Sequence, residues 1–147
     1  MNYTQLQAAI VAYSENTSTE FAAEISTFVT QAEQRIYNTI QFPSLRKNVT
    51  GTTTSSNKYL QCPSDFLAVY SMAVINPTTS EYEYLLNKDV NFIREAYPSA
   101  TSTGLPAYYA LFGPTVTGGA ITNELSFILG PTPDIQYSVE LHYFYFQ

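Results

Sequence analysis

The sequence predicts an α+β fold: N-terminal helices packed on a mainly antiparallel β-sheet or sandwich, with one short inserted helix. Three observations predict it. Apolar residues recur at helical spacing up to Pro43, the period changes to two from Leu45, and one short helical pattern interrupts the strands after Asn87. At 147 residues the expectation is a single domain, 1–147, with a helical part over 1–43 and a mainly β part over 44–147.

Thr4-Gln5-Leu6-Gln7 has the capping-box pattern, and Leu6, Ala9, Ile10 and Tyr13 follow at helical spacing, predicting a helix from Thr4 to Glu15. The polar run Asn16-Thr17-Ser18-Thr19 interrupts it. Phe21, Ile25, Phe28, Val29, Ala32, Ile36 and Ile40 then mark an amphipathic helix over Glu20–Gln41, with Ser26 as a candidate break and Pro43 as its stop. Leu45–Thr54 is a Thr-rich strand, Ser55-Ser56-Asn57 a turn, and Lys58–Gln61 a short strand returning to pair with it. Cys62-Pro63-Ser64-Asp65 is a second turn. Phe66–Ile75 is a buried strand closed by Asn76-Pro77, and Tyr82–Leu86 alternates as another.

Asp89 favours the first turn of a short helix whose apolar side is Val90, Ile93, Ala96 and Tyr97, and Pro98 ends it. Ser99–Leu105 is a loop, Pro106–Phe112 an aromatic strand, and Gly113–Asn123 a Gly- and Thr-rich connection. Two alternating runs then flank Gly130-Pro131-Thr132-Pro133-Asp134, which reads as a β-hairpin. The second run puts Tyr137, Val139, Leu141, Tyr143 and Tyr145 on one face, and Ser138, Glu140, His142, Phe144 and Phe146 on the other. Near Gln147 both faces are aromatic, so the strand needs cover on both sides, from more chain or from a partner.

Composition narrows the function. Six Lys and Arg against twelve Asp and Glu give a net charge of −6, a poor grip for DNA but suited to a surface that nucleic acid passes without sticking. Cys62 is the single cysteine, so an internal disulfide or a Cys-based zinc site is excluded. No stretch is apolar enough to cross a membrane, and Met1-Asn2-Tyr3-Thr4 lacks a signal-peptide pattern, so a cytoplasmic origin is expected and the Asn16 and Asn48 sequons carry no weight.

Little in the sequence points to catalysis. His142, the one histidine, sits in an aromatic strand and reads as a locally bonded sheet residue. Phosphate-loop, dinucleotide, zinc-protease and serine-elbow motifs do not occur. Glu81 and Glu83 read as a solvated edge, while Asp65 and Asp134 suit Pro-containing turns. No enzyme activity, cofactor or metal is expected. The surplus is aromatic: Tyr108, Tyr109, Phe112 and Tyr143–Phe146 suit sheet core and subunit contacts, or alternatively stacking platforms for sugars or bases.

Tyr84-Leu-Leu-Asn-Lys-Asp-Val-Asn-Phe-Ile-Arg-Glu-Ala-Tyr-Pro98 resembles a tailed-bacteriophage family, the head-to-tail adaptor (connector) proteins of the neck. Gln31–Ile36, Cys62–Phe66, Gly104–Tyr109 and Phe127–Pro133 carry the same resemblance, so it spans nearly the whole chain. It implies a structural virion protein assembled in the host cytoplasm. It further implies a ring of about twelve copies, closed by rotation, between the portal protein and a tail tube or nozzle protein, lining the channel through which the genome leaves. DNA is then passing cargo. Members of the family are longer, with helical sequence after the aromatic strand, so a C-terminal helical extension is expected to be missing here. Arg94, Tyr108, Tyr109, Tyr143, Phe144, Tyr145 and Phe146 are the expected subunit or partner contacts, with Arg94 paired to a carboxylate near Glu95 or on another subunit. The alternative is a carbohydrate-binding virion or surface module using the Tyr clusters.

Overall fold

The structure, a computed structural model, describes residues 1–40 and 42–146. The chain divides into two compact units, Met1–Phe42 and Pro43–Gln147.

The first unit is two helices. Helix α1 (Tyr3–Ser14) is capped by Asn2, not by the predicted Thr4. Asn2 Oδ1 accepts from the Gln5 amide at 2.9 Å, and Gln5 Oε1 accepts from the Asn2 amide at 3.0 Å. The box is two residues earlier because Asn serves as well as Thr there and brings Gln5 to the reciprocal position. Helix α2 (Thr19–Thr39) is capped by Ser18 and runs unbroken past Ser26, whose carbonyl accepts from Thr30 Oγ1 at 2.9 Å. The predicted end at Gln41 lies outside the described residues. Of its apolar stripe Ile25 is buried, whereas Phe28, Ile36 and Ile40 are nearly half exposed.

The second unit begins with a single 3-10 turn, Pro43–Leu45, and holds two four-stranded sheets. Its elements are β1 (Arg46–Thr52), β2 (Tyr59–Gln61), β3 (Phe66–Ile75), β4 (Tyr82–Tyr84), β5 (Leu86–Asn87), α3 (Val90–Ala96), β6 (Thr103–Gly104), β7 (Tyr108–Thr117), β8 (Ala120–Gly130), β9 (Thr132–Pro133) and β10 (Ser138–Tyr145). The first sheet has the order β1-β10-β3-β4 and the second β2-β8-β7-β5, while β6 and β9 form a small parallel pair. The α+β class is as the sequence predicts.

Between the sheets lies one core. Phe66, Met72, Val74, Val139, Leu141 and Tyr143 enter it from the first sheet, and Tyr109, Phe127 and Leu129 from the second. Helix α3 packs Ile93 against Ala110 and Ile128 on the other side of the second sheet. Gly130 permits that approach: a Cβ there would stand 2.9 Å from both Ile93 Cγ2 and Tyr97 Cδ2.

Four sequence expectations about the strands are corrected. The runs on either side of Gly130–Asp134 are not hairpin partners; β8 pairs with β7 and β2, and β10 with β1 and β3. The Pro-rich segment between them is a crossover from one sheet to the other, where β9 pairs with β6. Likewise β2 pairs with β8 and not with β1. The predicted strand Tyr82–Leu86 is split because Leu85 drops into the core, and the chain changes sheets there. Finally, Gly113–Asn123 is not a loop. The strands β7 and β8 continue through it to a two-residue turn at Gly118 and Gly119, both at positive φ (61° and 83°), the geometry of a tight hairpin.

Candidate contact surfaces

The outer face of the first sheet is polar and aromatic, with Arg46, Asn48 and Tyr70 exposed. Alternation along β1, β3 and β10 puts Arg46 and Asn48, Ser71, and Glu140, His142 and Phe144 on that side, and the register shift that leaves Tyr70 unpaired adds its ring beside Phe144. Glu140 is its centre. Its Oε1 accepts from Asn48 Nδ2 at 2.6 Å and lies 3.1 Å from His142 Nε2. The Asn48 bond is the main reason the Glu140 carboxyl is held below the ordinary glutamate range, with His142 and Tyr82 adding to it against a smaller opposing effect of burial. The charge on Glu140 in turn raises the Tyr82 phenol. Beside this network the Arg46 guanidinium lies 4.5 Å from the centre of the Tyr70 ring, which meets Phe144 edge-on at 6.1 Å.

A second cluster sits at the end of the core. Lys47 Nζ reaches Asp65 Oδ2 at 2.5 Å and lies 3.8 Å over the Tyr145 ring, while the Tyr143 hydroxyl donates to Asp65 Oδ1 at 2.8 Å. Burial pushes the Asp65 carboxyl up, but the bonds from Lys47 and Tyr143 outweigh it and leave the group below the usual aspartate range. The Tyr143 phenol is pushed up to about 12, by burial first and then by its bond to Asp65. Tyr137 repeats the arrangement: its hydroxyl donates to Asp134 Oδ1 at 2.5 Å, and its phenol is also at about 12, again mainly through burial. Asp65 and Asp134 therefore anchor core tyrosines, a role their turn positions did not signal.

The expected contact residues divide into two groups. Tyr109, Tyr143 and Phe144 are buried within the chain, so they are not free surface. The chain itself covers much of the two-sided aromatic strand: Tyr143 stacks on Phe66 at 5.9 Å in the core, and Tyr70 lies against Phe144 outside it. Tyr108 is half-buried between Phe92 and Tyr97, at 5.5 and 6.4 Å. Tyr145 is half-buried under Lys47, and Phe146 is exposed. Arg94 stands 5.2 Å from the centre of the Phe112 ring. Among the described residues it makes no ion pair, so the intrachain carboxylate partner near Glu95 is replaced by an aromatic one. These rings are largely engaged with one another, which leaves no broad platform for a sugar at the residues singled out in the sequence.

The surface has little catalytic equipment. Ser71 stands across from His142 in register, but among the described residues no hydrogen bond joins its hydroxyl to the imidazole. The cleft beside them, lined by Tyr82, Tyr84 and Glu140, is only about 60 Å³, far below a small-molecule site. Burial raises the Cys62 thiol to about 12, too high for a nucleophile. Among the described residues no group of three or more His, Cys, Asp or Glu is placed to hold a metal.

What the sequence reading missed is the pair of strand edges at each flank. On one flank β1 and β2 are both terminal strands, and an apolar cleft of about 270 Å³ opens between them, lined by Val49, Leu60, Cys62, Pro63, Val139 and Leu141. On the opposite flank β4 and β5 are the terminal strands, with Tyr82, Tyr84 and Leu86 exposed. The two flanks are chemically unlike, and each offers unpaired backbone groups.

Such a shape, rich in contact surface and poor in chemistry, agrees with the sequence comparison. Residues 1–145 match the family model described as SU10 adaptor protein. The chain belongs to the SU10 adaptor family. It is a bacteriophage adaptor, a structural component of the virion, and membership implies contacts with other virion proteins. Structural adaptors of this kind are in general not enzymes. No curated protein matches the sequence.

Proposed function

We propose that this adaptor is a head-to-tail connector that assembles into a closed ring of about twelve copies between the portal protein and the tail tube or nozzle. The observation that carries the reading is the adaptor-family match over residues 1–145. Two physical features support the ring. A closed ring needs two different, complementary sides on each subunit, and the sandwich has one flank with an apolar cleft and another with exposed Tyr82, Tyr84 and Leu86. The net charge of −6 suits a channel wall that DNA slides past during genome ejection. DNA is cargo in this reading, held by no specific contact.

Native mass spectrometry with negative-stain imaging of the full chain tests it. The expected result is a closed ring that co-purifies with the portal protein. A monomer that stays monomeric at high concentration and in the presence of portal overturns it.

A further inference from the structure

Building on the ring reading, we infer that neighbouring subunits join edge to edge, strand β4 of one copy pairing antiparallel with strand β1 of the next. Within the first sheet every neighbouring pair is antiparallel, so β1 and β4 run in opposite directions at its two ends. Rotation about an axis along the strands keeps those directions. It therefore brings β4 against the next β1 in antiparallel sense, the pairing that a backbone ladder accepts. All seven residues of β1 and all three of β4 are exposed, and neither strand contains a proline. An exposed edge strand of seven residues is a template for another strand.

Charge selects a second copy as the occupant. Arg46–Thr52 carries two bases and no acid, whereas Glu81–Tyr84 carries two acids and no base. Parity and charge then select a register. Lys47, Val49 and Gly51 pair with core residues of β10 and so lie on the inner side of the sheet. Glu83 pairs with Val74, another core residue, and lies on that same side. Opposed residues in a ladder share a side, so Glu83 can face Lys47, Val49 or Gly51, and only Lys47 is charged. That register sets Tyr84 opposite Arg46 and Tyr82 opposite Asn48, all on the outer side. Lys47 has donors left for Glu83, because among the described residues its ammonium makes one ion pair, to Asp65, and remains 45% exposed. Arg46 likewise gains the Tyr84 ring, which is 69% exposed in the single chain.

Cysteine cross-linking of the full chain tests the contact. Directly opposed positions in an antiparallel ladder lie within disulfide reach. In the double variant Lys47→Cys with Glu83→Cys, mild oxidation should give a ladder of covalent oligomers up to ring size on a non-reducing gel. Either single variant should give none, since Cys62 is buried. Efficient linking by Val49→Cys with Glu83→Cys instead would overturn the register. Linking by Lys47→Cys alone would overturn the pairing in favour of two β1 edges meeting. A wild-type ring whose double variant also forms a ring without cross-links overturns the edge contact and leaves the connector reading standing; a wild type that forms no ring overturns both. As a second measurement, Glu83→Lys should weaken self-association on the order of tenfold, by placing like charges opposite each other.

Discussion

The two sheets of the sandwich share a core and differ in what lies behind them. Behind the second sheet, helix α3 sets Ile93 and Tyr97 against Ala110, Ile128 and Gly130, and the outward positions there are small or apolar. Behind the first sheet, the outward positions are Arg46, Asn48, Tyr70, Glu140 and His142, tied by hydrogen bonds and cation–π contacts and open to solvent. The same alternation thus serves two purposes. Within the β unit, outward residues are small or apolar beneath α3 and mostly polar or aromatic on the face away from it.

The shared core is the first place to break this comparison, and it should break both sheets together. Phe127 is fully buried and meets Phe66 and Tyr109 edge-on, at 5.4 and 5.9 Å. Phe127→Ala is expected to cost about 3–5 kcal/mol, through lost transfer energy and the cavity left behind. Urea unfolding gives the total, and hydrogen exchange should show lost protection in β10 as much as in β7. A loss confined to one sheet would mean the two do not share a core. Gly130→Ala is the next largest effect and should separate them. Its new Cβ collides with Ile93 and Tyr97, so about 1–3 kcal/mol is expected from overpacking. Here protection should fall in α3 and β8 while β1 and β3 keep theirs.

Much of this was legible in the sequence where a local rule governs. Ile93 on the inner side of α3 and the alternation that sends Val139 and Leu141 inward follow from periodicity, whereas Asp89, expected in the first turn, stands one step earlier as the cap. The strand neighbours were not legible. Alternation reports which face of a strand is buried and says nothing of which strand lies beside it. Gly130–Asp134 has the composition of a hairpin turn, yet it carries the chain between sheets. Gly113–Asn123 misled in the opposite direction, since its glycines serve one tight turn and its threonines continue the strands. The same limit hid the candidate surface. Asn48 and Glu140 are 92 residues apart, and no local pattern joins them.

The smallest expected effect concerns that long-range bond, and it sharpens the comparison because it ties β1 to β10 on the face away from α3. Asn48 donates to Glu140 at 2.6 Å, and this bond is the leading cause of the lowered Glu140 pKa. A carboxyl depressed in the folded state favours folding above its ordinary range and loses that contribution as pH falls through the folded value. Asn48→Ala should therefore move the Glu140 titration upward, toward the ordinary glutamate value, in carboxyl-carbon NMR. Because the site is open to water, the urea midpoint near neutral pH should barely move. If Glu140 titrates unchanged in that variant, the Asn48 bond does not hold the carboxylate, and His142 and Tyr82 organise the open face without it.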